Sequence, residues 1–300
     1  MQISCLPPWT DAWADSEPRD SEPERWTHLV NIAGINHRTN QIVSHNDEYH
    51  DDMVTLLELV WGEGFMAPGG TGNVDRMVAG MDPGGKDILD IGCGIGGPAC
   101  YLAAGYGARV VGIDLEKPLI DRAAWLAEKR NVEALVEFQH VDGNGLSFDD
   151  NSFDIVMSSG ALTQTADKLG MFRDCYRVLR DGGYITCYDW MKTDDDYSDD
   201  MKYWFKMEGL TYAMETLDRH GELLEQAGFI NVITRDASEW YRNQARAEYE
   251  NLKGDLYDKT VELIGKEQAD YFVENWRALV AVCEKGEMRQ GYYRGMKPGT

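Results

Sequence analysis

Positive charge is scarce in this chain. Its 300 residues carry 29 Lys and Arg against 52 Asp and Glu, a formal net charge of −23. A surface so acidic repels phosphate backbones and anionic lipid, so nucleic acid and membrane surfaces are not expected partners. Long apolar runs are also missing, with nothing near the roughly 18 residues that a membrane-spanning helix needs. Residues 1–20 show neither the basic nor the apolar segment of a secretory leader, so a cytoplasmic location is expected. Cysteine is sparse and scattered. Cys5, Cys93, Cys100, Cys175, Cys187 and Cys283 form no CxxC pair and no zinc spacing with His, so reduced thiols and no metal are expected.

What is present is globular material. Hydrophobic residues make up 43% and charged residues 27%, enough for a core without staples. Residues 1–45, rich in Pro, Asp, Glu and Ser, read as an N-terminal arm, and residues 46–297 as one domain. Apolar spacing predicts a helix over residues 49–61, stopped by Gly62, Gly64 and Pro68. Thr71 is expected to cap a short helix reaching Ala79. From residue 87 strands and helices alternate. Strands are expected at 87–91, 109–113, 135–140, 153–157 and 183–188, and helices at 98–105, 118–130 and 166–179, the last ended by a turn at Asp181-Gly182-Gly183. Residues 231–235 and 288–294 supply a sixth and a seventh strand. Such alternation means an α/β fold, a largely parallel sheet with helices on both faces. Two aromatic-rich stretches, near 190–217 and 237–285, fall outside it and read as a helical lid over the carboxyl edge of the sheet.

The sharpest motif is Ile88-Leu89-Asp90-Ile91-Gly92-Cys93-Gly94-Ile95-Gly96-Gly97, which closes a strand and opens a helix. Its glycines allow a tight turn and close backbone approach to a ligand. A pyrophosphate loop has no need of Asp90, whereas a ligand with a positive amine beside the loop does. The next strand ends at Asp114, and an acidic residue about 20 positions after such a loop fits a ribose diol. Asp142, followed by Gly143, is placed to accept from an adenine amino group.

Over residues 85–190 this set resembles the class I S-adenosylmethionine-dependent methyltransferases. The resemblance implies a seven-stranded Rossmann-like sheet, S-adenosyl-L-methionine as cofactor and S-adenosyl-L-homocysteine as product. It sets Asp90, Gly92, Cys93, Gly94, Gly97, Asp114, Leu115, Asp142, Gly143 and Ser158 around the donor. Glu48-Tyr49, the segment from Leu59 to Gly70, and the ending from Met288 to Lys297 are similar to phosphoethanolamine N-methyltransferases. In that family the tyrosine at the position of Tyr49 closes over the donor. The departures concern the acceptor. The family's His after the fourth strand is absent, and Gln164 or Thr163 falls nearest its place. Where the family grips phosphate with Arg-x-Tyr, this chain reads Met207-Glu208-Gly209-Leu210; its later Tyr is Trp190, and its Lys falls on the apolar run 278–282. A buried site without those cations, and with Glu208, repels phosphate.

An amine acceptor must lose a proton before it attacks, whereas a thioether has none to lose. Losing the His therefore favours a small zwitterionic thioether, L-methionine, methylated on sulfur to S-methyl-L-methionine, a product of osmolyte type. The alternative is N-methylation of phosphoethanolamine, glycine or a related small amine. Tyr49, Gln164 and Glu208 are the expected catalytic residues. Tyr188, Trp190, Trp204 and Tyr212 are the expected pocket walls, since aromatic faces stabilise cations. The partner is a small molecule; homo-oligomerisation is left open.

Overall fold

The computed structural model describes residue 49 and residues 51–299; the arm expected over 1–45 lies outside them. Seven strands form one sheet: β1 (Asp87–Ile91), β2 (Arg109–Asp114), β3 (Val136–His140), β4 (Phe153–Ser159), β5 (Leu179–Met191), β6 (Ile230–Asp236) and β7 (Arg289–Met296). Their order is β3-β2-β1-β4-β5-β7-β6. β1 pairs parallel with β2 and β4, and β7 pairs antiparallel with both of its neighbours. The strand order reverses between β1 and β4, and a ligand crevice is expected beyond their carboxyl ends.

β1 is central and buried on both faces, which explains its nearly unbroken apolar run. Leu89 and Ile91 pack with Phe172 of α5 (Lys168–Val178) and with Leu223 and Leu224 of α7 (Leu217–Ala227). Ile88 packs on the opposite face with Val74 and Met77 of α2 (Gly70–Val78) and Leu102 of α3 (Gly97–Tyr106). α4 (Lys117–Arg130) joins α3 through Leu126, Ala127, Cys100 and Ala103. Fully buried Arg294 of β7 donates to the carbonyls of Met77 (2.6 Å) and Ala79 (3.0 Å), satisfying the end of α2.

Above the carboxyl edge lie α1 (Asp51–Trp61), α6 (Asp199–Glu208), α8 (Ser238–Lys253), α9 (Tyr257–Ile264) and α10 (Lys266–Glu284). Trp204, Tyr241, Leu279 and Val282 form the core of this layer. Tyr203 Oη donates to Glu274 at 2.9 Å, and Lys285 pairs with Asp200, tying α6 to α10.

Several local features differ from or refine the expectation. Thr71 caps nothing, because α2 already begins at Gly70, with Gly69 in the left-handed region (φ 89°) as its cap. The turn at Asp181-Gly182-Gly183 lies inside β5: Phe153 pairs with Leu179 and Ile155 with Tyr184, so the extra residues bulge out of the ladder. The stretch 237–285, read as helical, forms three helices, broken at Gly254 and Gly265. α7, capped by Thr216 Oγ1 accepting from Arg219 N at 3.2 Å, was not expected; it packs on the sheet and not in the lid. Among the described residues no helix is long and apolar enough to cross a membrane, and no cluster of ligating side chains suits a metal. The five described cysteines are free and buried.

Candidate active site

A cleft opens at the strand-order reversal. Its walls include Asp90, Gly92, Cys93 and Gly94 from the end of β1, Ser159 from the end of β4, and Gly64, Phe65, Met66 and Asn73 from the segment above. Gly92 (φ +69°) turns the chain under Ala161, where an added Cβ would lie 2.1 Å from that residue's Cβ; no side chain fits there. Asp90 is 1% exposed, and its Oδ2 has no hydrogen-bond partner. Burial, with the nearby Asp114 carboxylate adding to it, pushes the Asp90 carboxyl up to about 7. An enclosed carboxylate with an open lone pair suits a cationic ligand group, and the α-amine of S-adenosylmethionine is one.

Asp114 accepts from Gly94 N (2.8 Å) and Glu116 N (3.0 Å), which fixes its carboxylate at the tip of β2. Each oxygen keeps lone-pair capacity for a hydroxyl. Farther out, Asp142 is exposed and accepts from Asn144 N at 3.1 Å, which holds it below the usual carboxylate range. Leu115 is 58% exposed and approaches Gly143, leaving an apolar face at the rim beside Asp142.

Ser158, Gly97 and Tyr188, expected at the site, sit elsewhere. Ser158 is fully buried and donates to Ile91 O (2.9 Å), so its hydroxyl ties β4 to β1, and Ser159 is the serine that faces the cleft. Gly97 meets the backbone of Gly64, whose carbonyl accepts from Gly97 N at 2.9 Å. Tyr188 lies in the core under Trp240 and Tyr292.

A second cavity is enclosed by α1, α6, α10 and the end of β5. Trp61, Trp190, Phe272 and Trp276 give it aromatic walls, Met53, Leu57 and Leu279 line it further, and Glu208 and Asn275 are its polar residues. Trp204 and Tyr212, expected as walls, do not line it; they stack behind Trp190, with ring centroids 5.4–6.2 Å apart. Glu208 accepts from Asn275 Nδ2 at 3.0 Å, and burial raises its carboxyl above the usual range. It also stands at the C-terminus of α6, where a carboxylate opposes the helix dipole. Asn275 Oδ1 is buried without a partner. The polar lining thus offers acceptors, an arrangement that suits a ligand carrying N–H groups and positive charge.

Tyr49 and Met66 pack against two apolar clusters, one of Val54, Ile95 and Leu119 beside the glycine loop and one that includes Leu57, Phe272 and Trp276 by the cavity, so they stand between the two spaces. Gln164 ends the short turn Leu162–Gln164 after β4. That turn is anchored through its neighbour: Thr163 N donates to Asp189 (3.0 Å), and Thr163 O accepts from Ala213 N (2.8 Å). The His missing from the motif is not replaced here. His220 lies beneath, stacked on Tyr293, and burial pushes its pKa down to about 4.

Residues 89–187 match a methyltransferase domain family. The chain is 30% identical over 254 residues to a phosphoethanolamine N-methyltransferase of Triticum aestivum, covering 84% of this chain and 49% of the relative. It is 23% identical to the phosphoethanolamine N-methyltransferase of Plasmodium falciparum, covering 84% of this chain and 94% of that one. The chain therefore spans about half the length of the plant relative and nearly all of the Plasmodium protein. Among solved structures, Haemonchus contortus phosphoethanolamine N-methyltransferase 2, in complex with phosphomonomethylethanolamine and S-adenosylhomocysteine, superposes with a TM-score of 0.78 at 24% identity, over 84% of this chain and 59% of that one. The chain carries a class I S-adenosylmethionine-dependent methyltransferase domain and resembles the phosphoethanolamine N-methyltransferases.

Proposed function

We propose that the chain transfers the methyl group of S-adenosylmethionine to the nitrogen of a small amine. The observation that carries the acceptor half is the aromatic cavity whose polar lining is Glu208 and Asn275. Aromatic faces attract an ammonium, and desolvation strengthens the attraction. The relatives favour nitrogen over the sulfur of methionine, which the missing His had suggested, because they are named as amine methyltransferases. Glu208 offers a reason the His is dispensable. A carboxyl raised by burial is a stronger base than an exposed one, so it can take the ammonium proton and free the lone pair. No Lys or Arg lines the cavity among the described residues, so an acceptor's phosphate, if it has one, lies outside this space.

The donor cleft fits S-adenosylmethionine, which supplies a sulfonium-activated methyl group when bound. Asp90 would hold its amine, Asp114 its ribose, and Leu115, Asp142 and Gly143 its adenine. Cys93 and Gly94 line the cleft and pass close to it. Tyr49, between cleft and cavity, would orient the nucleophile and exclude water. Gln164, on the anchored turn after β4, would bound the acceptor side.

The test is an acceptor panel. The full chain is supplied with S-adenosylmethionine and with phosphoethanolamine, glycine, N-methylglycine or methionine, and S-adenosylhomocysteine is counted. Turnover is expected with an amine, with Glu208→Gln losing about 100-fold or more in kcat/KM. Turnover confined to methionine contradicts the proposal.

A further inference from the structure

A second carboxylate stands behind the acceptor cavity. Glu248 of α8 is 3% exposed, and Trp61 Nε1 donates to its Oε1 at 2.8 Å while Trp276 Nε1 donates to its Oε2 at 3.1 Å. Gln244 Nε2 adds a third bond to Oε1 at 3.1 Å. All three donors are neutral. A buried carboxylate without a cation is costly, and well-packed apolar residues in such a place are often as stable or more so. Its presence therefore calls for a reason other than stability.

The two indoles supply one. Trp61 comes from α1 and Trp276 from α10, and both wall the cavity, with ring centroids 6.0 Å apart and planes at 51°. An indole has a single polar atom, a donor, so gripping it fixes the ring's orientation. An anion accepting that N–H also pushes electron density toward the ring face, and its field reaches through the rings into a low-dielectric space. Glu208 presents a carboxylate to the same cavity. A cation bound there relieves the repulsion between the two.

We infer that Glu248 is a positioning residue that sets the indoles of Trp61 and Trp276 and strengthens the cavity's attraction for a cationic nitrogen. The inference rests on reading the cavity as an ammonium site, and its test needs no turnover. Tetramethylammonium is titrated into the full chain at constant ionic strength and followed by tryptophan fluorescence; tert-butanol, of similar shape without charge, is the control. Donor affinity is measured in parallel by calorimetry. Glu248→Gln is expected to weaken tetramethylammonium by about tenfold and leave tert-butanol and S-adenosylmethionine within about twofold. Trp61→Phe and Trp276→Phe, which keep a ring and remove a donor, are expected to lose less in the same direction, and they carry the test if Glu248→Gln does not fold. Equal weakening of both probes, unchanged tetramethylammonium binding, or no cation-specific response in the unaltered chain overturns the inference. A chain that binds tetramethylammonium through Glu248 yet methylates no amine would keep this inference and remove the amine reading.

Discussion

Asp90 is nearly sealed from water with one oxygen unpartnered, and burial pushes its carboxyl up to about 7. Because the folded value lies above the unfolded one, its contribution to stability is present at low pH and is lost as pH rises through 7. A bound ammonium reverses this by favouring the anion. S-adenosylmethionine binding below pH 7 should therefore release a proton from Asp90. Calorimetry at about pH 6 in buffers of different ionisation heat should show that release, and affinity should fall by up to about tenfold per pH unit below 7. Asp90→Asn should bind more weakly and abolish the dependence. Affinity flat from about pH 5.5 to 8 would place the donor's amine elsewhere. This residue was legible from the motif, since a polar group inside an otherwise apolar strand is a local anomaly. Glu248 was not, because its partner Trp61 lies 187 positions away and no local pattern joins them.

At the scale of elements, the segment from Gly64 to Gly70 roofs the cleft proposed to hold the donor. It rests on the first residue of α3: a Cβ on Gly97 would come within 2.1 Å of Gly64 O. Gly97→Ala must lift that roof. The expected result is a donor affinity reduced by at least about tenfold, with a smaller cost to thermal stability. Unchanged affinity would show that the roof takes no part in binding. At this scale most strands were legible, because buried parallel strands read as short apolar runs. The bulge of β5 away from β4 was not, because Gly182 and Gly183 read as a turn, while bonds on the strand's other edge hold them extended: Gly182 N donates to Lys297 O (3.0 Å) and Lys297 N to Gly183 O (2.9 Å). α7 was missed because its apolar residues are few and follow a stretch that reads as lid.

Across the whole molecule, a net charge of −23 stores self-repulsion that a compact state must bear. Added salt screens it, the Debye length falling from about 30 Å at 0.01 M to about 3 Å at 1 M. The melting temperature should rise between those limits, and a constant or falling one would show that local ion pairs such as Arg122–Glu58 outweigh the global field. The chain also places carboxyl groups inward, Asp90 in the cleft and Glu208 and Glu248 around the cavity, where burial raises each above the usual carboxylate range. Both spaces then suit cationic groups, the donor's amine in one and the acceptor's nitrogen in the other. In the proposed function this second cation is an amine that must lose a proton before it is methylated. The most direct measurement is the single-turnover rate of methyl transfer against pH, at saturating donor and with the acceptor the panel selects. For an amine acceptor the rate should rise up to about tenfold per pH unit below the controlling pKa and then level. A rate flat over about pH 6 to 9 would mean that no proton leaves the acceptor, and would contradict the proposal.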